Sequence, residues 1–387
     1  MEDPLSGKLP THPATATIDT TDTTAAVLGA GTAKPRELVE AALIEFFASR
    51  TEQVAELGDR YVTAVRELTE FVLRGGKRVR PAFAWTAWLG AGGDSTSDGA
   101  ASIVRACSAL ELVQACALIH DDIIDASVTR RGFPTVHVAF ADRHRSANWS
   151  GSSERFGESA AILLGDLALC WADDMLRESG IDAAAAARVS PVWSAMRTEV
   201  LGGQLLDIEA EAGLDESIEA AMRVNRYKTA AYTVERPLQI GAVLADAAPD
   251  LTAAYRSFGT DIGLAFQLRD DLLGVFGDPG VTGKPSGDDI REGKRTVLMA
   301  VGMKLADRDS PVSARTLRST LGTIDLSEDR IADVRSILCD VGAVADVERR
   351  IEDLTDRALE TLAESATEPG AAAQLRTMAI AATQRTY

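Results

Sequence analysis

Residues 114–132 read QACALIHDDIIDASVTRRG, an apolar helical stretch that runs into Asp121, Asp122 and Asp125 and then into Arg130 and Arg131. Asp121 and Asp125 are four apart, so a helix stacks them on one face, one turn above the other. Like charges placed that way repel unless a cation lies between them. Hard oxygen ligands with room for water suit Mg²⁺, which is typically held by one or two carboxylates plus substrate phosphates. The guanidinium forks that follow match phosphate oxygens. Carboxylates for a metal beside arginines for phosphate are the ingredients of a diphosphate site. Taken alone, a DDxxD string is most often a solvated helix end, so the rest of the chain has to decide.

Four further stretches bear on that decision. RGGKRVRP, Arg74 to Pro81, sets four cations in seven residues of a chain whose formal net charge is −18. A short basic run is usually a solvated turn, but Gly75 and Gly76 let a ligand approach the backbone and the next helix start offers free N–H groups. Tyr227-Lys228-Thr229 lies inside a helical pattern and by itself reads as a surface pair. FQLRDDLLGVFGD, Phe266 to Asp278, closes a second helix with Asp270 and Asp271, and Gln267 sits one turn before them. The loop after it carries Lys284 and, beyond Asp289, Lys294. Carboxylates that end an apolar helix, followed by cations in the next loop, therefore occur twice. Asp173-Asp174 has no basic sequel and reads as a solvated helix face.

The elements that must position these residues are helices. Apolar residues recur at three-to-four spacing through most of residues 35–387, and few stretches alternate as strands do. The fold class is all-α, a single large helical bundle. Residues 1–34, rich in Thr, Ala, Pro, Asp and Gly, have little to bury and read as a disordered tail. Helices are expected at about 101–125, 159–179, 182–212, 216–245 (bent at Pro237) and 252–276, with more from Lys294 onward, broken near Ser310, Thr323 and Gly370. Residues 126–158 read as a long polar connection whose part from Arg145 to Arg155 is mobile. The negative charge argues against nucleic acid as a partner. Cys107, Cys116, Cys170 and Cys339 show no CxxC spacing and suit a reducing cytoplasm. No apolar run of membrane-spanning length and no signal-peptide pattern are evident.

GGKRVRP, DDIID with RRG, YKT, FQLRDD, GDPGVTGKP and DDIREGKRT follow one another from Gly75 to Thr296. In that order they resemble the trans-isoprenyl diphosphate synthase (polyprenyl synthetase) family. The resemblance implies about a dozen helices around a deep central apolar cavity, usually as a homodimer, with the two acidic motifs facing each other across its mouth. It implies Mg²⁺ as cofactor, with isopentenyl diphosphate and an allylic diphosphate as substrates. By matching position, Asp121, Asp125 and Asp270 ligate the metal, with Asp122 and Asp271 in support. Arg130, Lys228, Thr229, Gln267 and Lys284 surround the allylic diphosphate. Lys294 belongs to the same lid, and Asp289 holds a metal through water. Lys77, Arg80, Gln114 and Arg131 hold isopentenyl diphosphate. One departure stands out: the second motif often ends in a third Asp, and here that position is Gly274.

The implied reaction is head-to-tail condensation, with geranylgeranyl diphosphate as the expected product and farnesyl or longer polyprenyl diphosphates as alternatives. Lys228, Thr229 and Gln267 orient the departing diphosphate. A terpene cyclase would need no second-substrate site, and a non-catalytic synthase subunit would have lost carboxylates. A ferritin-like bundle would want Glu and ExxH on several helices. Chain length is expected to be set on the helix that ends in Asp121. Cys116 lies roughly 7–8 Å and Val113 roughly 12 Å along its axis from Asp121. Small side chains at Cys116 and Ala117 would then leave the channel open past fifteen carbons.

Overall fold

In the computed structural model the structure describes residues 23–29, 34–277, 287–323 and 325–384. Almost all of it is helix. In chain order these are α1 (Thr23–Gly29), α2 (Pro35–Ser49), α3 (Thr51–Ala55), α4 (Asp59–Leu73), α5 (Val79–Gly90), α6 (Ala100–Ser108) and α7 (Leu110–Ile124). A two-stranded antiparallel ribbon, β1 (Thr129–Arg130) and β2 (Phe133–Pro134), leads to α8 (Val136–Ser146), α9 (Ser153–Arg177), α10 (Ala183–Ala212) and α11 (Ile218–Val224). A π-helical segment, Asn225–Glu235, joins α11 to α12 (Arg236–Leu244) and α13 (Pro249–Phe276). The chain ends with α14 (Asp288–Glu292), α15 (Val297–Asp309), α16 (Pro311–Thr320), α17 (Glu328–Asp340), α18 (Ala343–Glu364) and α19 (Pro369–Thr383).

Local chemistry sets these boundaries. The side chains of Ser152, Asp182, Ser217, Thr296, Ser310 and Ser327 each accept from a backbone N–H three residues on, at the start of α9, α10, α11, α15, α16 and α17. In α18 the buried residues Val347, Ile351, Leu354, Ala358 and Leu362 recur at helical spacing, which makes one face apolar. Helix α13 is buried on nearly all sides: Tyr255, Phe258, Ile262, Leu268 and Leu272 are inaccessible to solvent. It packs on the π segment on one side and α18 on the other, so it is the axis on which the second acidic motif is mounted.

The expected helix 216–245 is three pieces, and Pro237 is not what bends it. Pro237 falls in the first turn of α12, where its missing N–H costs least. The deformation lies upstream, in the wider turns of the π segment. Glycines on both neighbours make room for that width. A Cβ on Gly263 of α13 would stand 2.6 Å from Ala230 Cα, one on Gly259 2.5 Å from Glu235 Cα, and one on Gly203 of α10 would overlap the Lys228 backbone N.

Other expectations are corrected. Residues 126–158 are not a long polar loop, because Phe140, His144, Trp149 and Phe156 form an aromatic cluster that docks α8 on α9 and orders the Ser-rich turn. The breaks near Ser310 and Thr323 are present, but further breaks fall at Val341-Gly342 and between Ser365 and Glu368, and Gly370 lies inside α19. The expected tail contains α1: Thr24 is buried, its Oγ1 donates to Glu45 Oε2 at 2.6 Å, and Val27 and Leu28 pack against the core. Residues 1–22 and 30–33 lie outside the described residues. Finally, Ala100–Ile124 is long and apolar enough to cross a membrane, with a mean hydropathy of 1.5 in its most apolar window. That window is 67% buried inside the bundle, as the core helix of a globular protein is.

Candidate active site

The ribbon after α7 aims the two arginines in opposite directions. Arg130 pairs with Phe133, leaving Arg131 and Gly132 as a two-residue turn with φ of 53° and 77°, the positive angles that tight hairpins need. Arg130 folds back over the end of α7, donating from Nε to Asp122 Oδ1 at 2.8 Å and from Nη2 to Asp121 Oδ2 at 3.4 Å. Arg131 crosses to the basic loop and donates from Nη1 to the Gly75 carbonyl at 2.9 Å. Gly75 and Gly76 sit at φ 123° and 134°, and a Cβ on Gly76 would press on the Arg131 guanidinium at 3.3 Å. Both glycines are therefore required by backbone angle, and Gly76 also by approach. The structure ties Arg131 to that loop and does not set it in the cavity wall.

The basic loop contributes two cations to the cavity, Lys77 and Arg80. Arg80 lies 3.9 Å over the Tyr232 ring and donates to Thr233 Oγ1 at 2.8 Å. Arg78, although it belongs to the same run, turns inward at φ 49° and is buried. It donates to Glu111 Oε2 of α7 at 2.6 Å and to the Val72 carbonyl at 2.8 Å.

A cavity of about 880 Å³ opens between α7, α10, the π segment and α13. Lys228 Nζ stands 3.1 Å from Asp121 Oδ1 and 2.5 Å from Asp207 Oδ2 of α10. Lys294 Nζ contacts Asp125 Oδ2 at 3.0 Å and Glu292 Oε2 at 2.8 Å. Burial alone would raise the Asp121 carboxyl, but Lys228, Lys294 and Arg130 hold it below the ordinary carboxylate range. Asp125 is pushed up by burial and, after the opposing effect of Lys294, by the Asp121 charge. Asp122 is 1% exposed, raised by burial, and grips Arg130.

Across the cavity, Gln267 Nε2 donates to Asp271 Oδ1 at 2.8 Å, one turn along α13. Asn225 Nδ2 and the Val297 N–H reach Asp271 Oδ2 at 3.4 and 3.3 Å. Burial raises the Asp271 carboxyl to about 7. Asp270, Thr229 and Asp289 also line the cavity, whereas Lys284 lies outside the described residues.

The chain-length residues separate. Gln114, Ala117 and Leu118 form the α7 wall, while Val113, one turn below Ala117, and Cys116, turned to another side of the helix, are buried and do not line the cavity. Cys116 Sγ is 3.7 Å from His120 Nδ1, and its thiol is raised to about 12 by burial and then by Asp166 and Cys170 of α9. The reason is rotational: five residues turn a helix by about 500°, which leaves Cys116 about 140° away from Asp121.

Asp207, Gln204, Asn225 and Tyr232 line the same cavity and carried no signal in the motif reading. Gly202-Gly203-Gln204, a glycine pair inside a helical pattern, was a usable cue, since such glycines mark close backbone approach.

The donor set fits Mg²⁺. Among the described residues no three carboxylates form a closed metal cage; Asp121 and Asp270 instead line one cavity, which leaves positions for phosphate oxygens and water. The buried Gln114 Oε1 has no partner, so this wall still has an acceptor to satisfy.

Helical bundle, paired acidic helix ends and cationic loops together define a diphosphate-handling enzyme. A profile of the polyprenyl synthetase family matches residues 62–338. A geranylfarnesyl diphosphate synthase of Aeropyrum pernix is 34% identical over 291 residues, covering 74% of this chain and 83% of that one. A geranylgeranyl diphosphate synthase of Saccharolobus solfataricus is 30% identical over 266 residues, 68% of this chain and 73% of that one. The crystal structure of a geranylgeranyl pyrophosphate synthase from Corynebacterium glutamicum, complexed with isoprenyl diphosphate and magnesium, superposes with a TM-score of 0.88 at 49% identity, covering 91% of this chain and 99% of that one. The chain belongs to the polyprenyl synthetase family, and is a prenyltransferase with the all-α fold of these enzymes.

Proposed function

We propose that the protein condenses isopentenyl diphosphate head-to-tail with an allylic diphosphate, and that its product is geranylgeranyl diphosphate. The observation that carries this reading is Lys228, which bridges Asp121 of α7 and Asp207 of α10 inside the cavity that Lys77, Arg80, Asp270 and Gln267 share. Asp121 and Asp125 on one side and Asp270 on the other would hold Mg²⁺, which when bound neutralises charge on the leaving diphosphate. Arg130, Lys228 and Lys294 orient that diphosphate, and Gln267 and Thr229 complete its surround. Lys77, Arg80 and Gln114 hold the second diphosphate, with Arg131 fixing their loop.

The allylic C1–O bond breaks and its electrons leave with diphosphate. The isopentenyl double bond forms the new bond to C1, and a proton then leaves C2. No His or Glu lines the cavity among the described residues, and the released diphosphate accepts this proton, as the family resemblance implies. Phe266, Leu118 and Val200 give the cavity apolar walls that keep water from the carbocation.

Small Ala117 in the wall and the names of the relatives support a twenty-carbon product. Exposed Ile162, Leu163, Leu201 and Leu205 support a homodimer. Four free cysteines support a cytoplasmic setting. The test of the site is Asp121→Ala. Turnover is expected to fall by orders of magnitude with helix content intact, and near-normal turnover in the folded variant would refute the assignment.

A further inference from the structure

We propose that Phe133 is a positioning residue for the second diphosphate: its ring clasps Arg74 and so fixes the loop that presents Lys77. This rests on the diphosphate-synthase reading above and adds a residue to it. Arg74 caps the end of α4, and Phe133 opens β2. The Arg74 guanidinium carbon lies 4.4 Å from the centre of the Phe133 ring, within the range of a cation–π contact. Glu70, one turn back on α4, steadies the guanidinium, with Oε2 at 3.3 Å from Nη2. Phe133 is 46% exposed, too open for its ring to serve the bundle core.

The ribbon that carries Phe133 is firmly based. Arg130 stands opposite Phe133, and Thr129 opposite Pro134. Thr135 is fully buried at the base, where its N–H donates to the Val128 carbonyl at 3.1 Å and its Oγ1 to the Ser127 carbonyl at 2.8 Å. Arg130 ties the ribbon to Asp121 and Asp122. The basic loop has no such stiffness of its own. Gly75 and Gly76, at φ 123° and 134°, leave its backbone unrestricted by side chains, so it has to be held from outside. Phe133 holds Arg74 before the two glycines, Arg131 Nη1 donates to the Gly75 carbonyl, and Glu111 accepts from Arg78 after them. Between the anchors Arg74 and Arg78 lie only Gly75, Gly76 and Lys77. The place of Lys77 in the cavity wall is therefore set by those anchors. The clasp also joins the two halves of the site, because the ribbon that brings Arg130 to the first acidic motif holds the loop that brings Lys77 to the cavity.

The experiment is steady-state kinetics with Mg²⁺, each substrate varied while the other saturates, together with thermal melts. The full-length proteins are wild type, Phe133→Leu, Phe133→Trp, Arg74→Gln and the double variant Phe133→Leu/Arg74→Gln. Leucine keeps apolar bulk without a π face, and tryptophan enlarges that face. In Phe133→Leu and Arg74→Gln the KM for isopentenyl diphosphate is expected to rise about two- to fivefold, the worth of an exposed cation–π contact. The allylic KM, kcat and melting temperature should stay at wild-type values, and Phe133→Trp should keep the wild-type KM. The double variant should be no worse than either single one, because both changes remove the same contact. An unchanged KM for isopentenyl diphosphate in Phe133→Leu, an equal rise for both substrates, or additive losses in the double variant would overturn the proposal. If Phe133→Leu melts below wild type, Arg74→Gln and Phe133→Trp decide. Arg80→Ala is the control. If it too leaves the KM for isopentenyl diphosphate unchanged, the division of the cavity between two diphosphates fails, whereas a rise there with none at Phe133→Leu refutes only the present inference.

Discussion

Arg78 Nη1 donates to Glu111 Oε2 across 2.6 Å, and both side chains are buried between the basic loop and α7. The contact ties the loop that presents Lys77 and Arg80 to the helix that presents Gln114 and Asp121. Arg78→Met leaves Glu111 buried without its partner, which is expected to cost about 3–5 kcal/mol. The KM for isopentenyl diphosphate should rise more than that for the allylic substrate. Chemical denaturation and substrate-by-substrate kinetics measure the two effects, and equal changes in both KM values would show that the pair does not orient this loop.

The wall of α7 makes a prediction about product length. Ala117→Phe should shorten the product to fifteen carbons or fewer, read by chromatography of dephosphorylated products. Cys116→Phe should not, because its side chain points toward His120 and α9. It should instead overpack that contact and cost about 1–3 kcal/mol. A shortened product from Cys116→Phe with unchanged stability would put the channel on the other side of the helix.

What the sequence discloses and what it hides follow from the range of the interactions. Asp121, Asp125 and Asp270 are legible because they close apolar helices and are followed by cations in the next loop, whereas Lys228, which by itself reads as a surface residue, is singled out only by the family resemblance. The fold class is legible because period 3.6 is a local property. Arg78 is not legible as an internal anchor, since its direction is set by a positive φ and a distant Glu111. The aromatic cluster that orders residues 140–156 is hidden among polar residues. Distance along a helix does not disclose that Cys116 is rotated away from the cavity wall toward His120. Asp207 was missed because its partner, Lys228, is brought near only when the glycines of α10 and α13 admit the π segment.

Asp207 holds Lys228 from the side opposite Asp121. Asp207→Asn keeps a hydrogen-bond acceptor but loses the charge. Lys228 should then be mispositioned, and turnover should fall by about 10²-fold. Steady-state kinetics check this; an unchanged kcat would make Asp207 a bystander.

Glu211 of α10 is raised to about 7 by burial, then by Asp207 and Asp125. A folded value above the unfolded one means the native state binds the extra proton. Stability must therefore fall as pH rises from about 4.5 through 7 and stay lowered above it. Glu211→Gln removes this dependence, so its melting temperature relative to wild type should climb between pH 5 and 8 and then level. A pH-independent difference between the two proteins would show that Glu211 is not held protonated.

The most direct measurement incubates the protein with Mg²⁺, labelled isopentenyl diphosphate and each of the five-, ten- and fifteen-carbon allylic diphosphates, then resolves the products by chain length. Extension of the primers to a single twenty-carbon product is the expected result. Absence of labelled product with every primer, from folded protein with metal present, would contradict the proposed condensation.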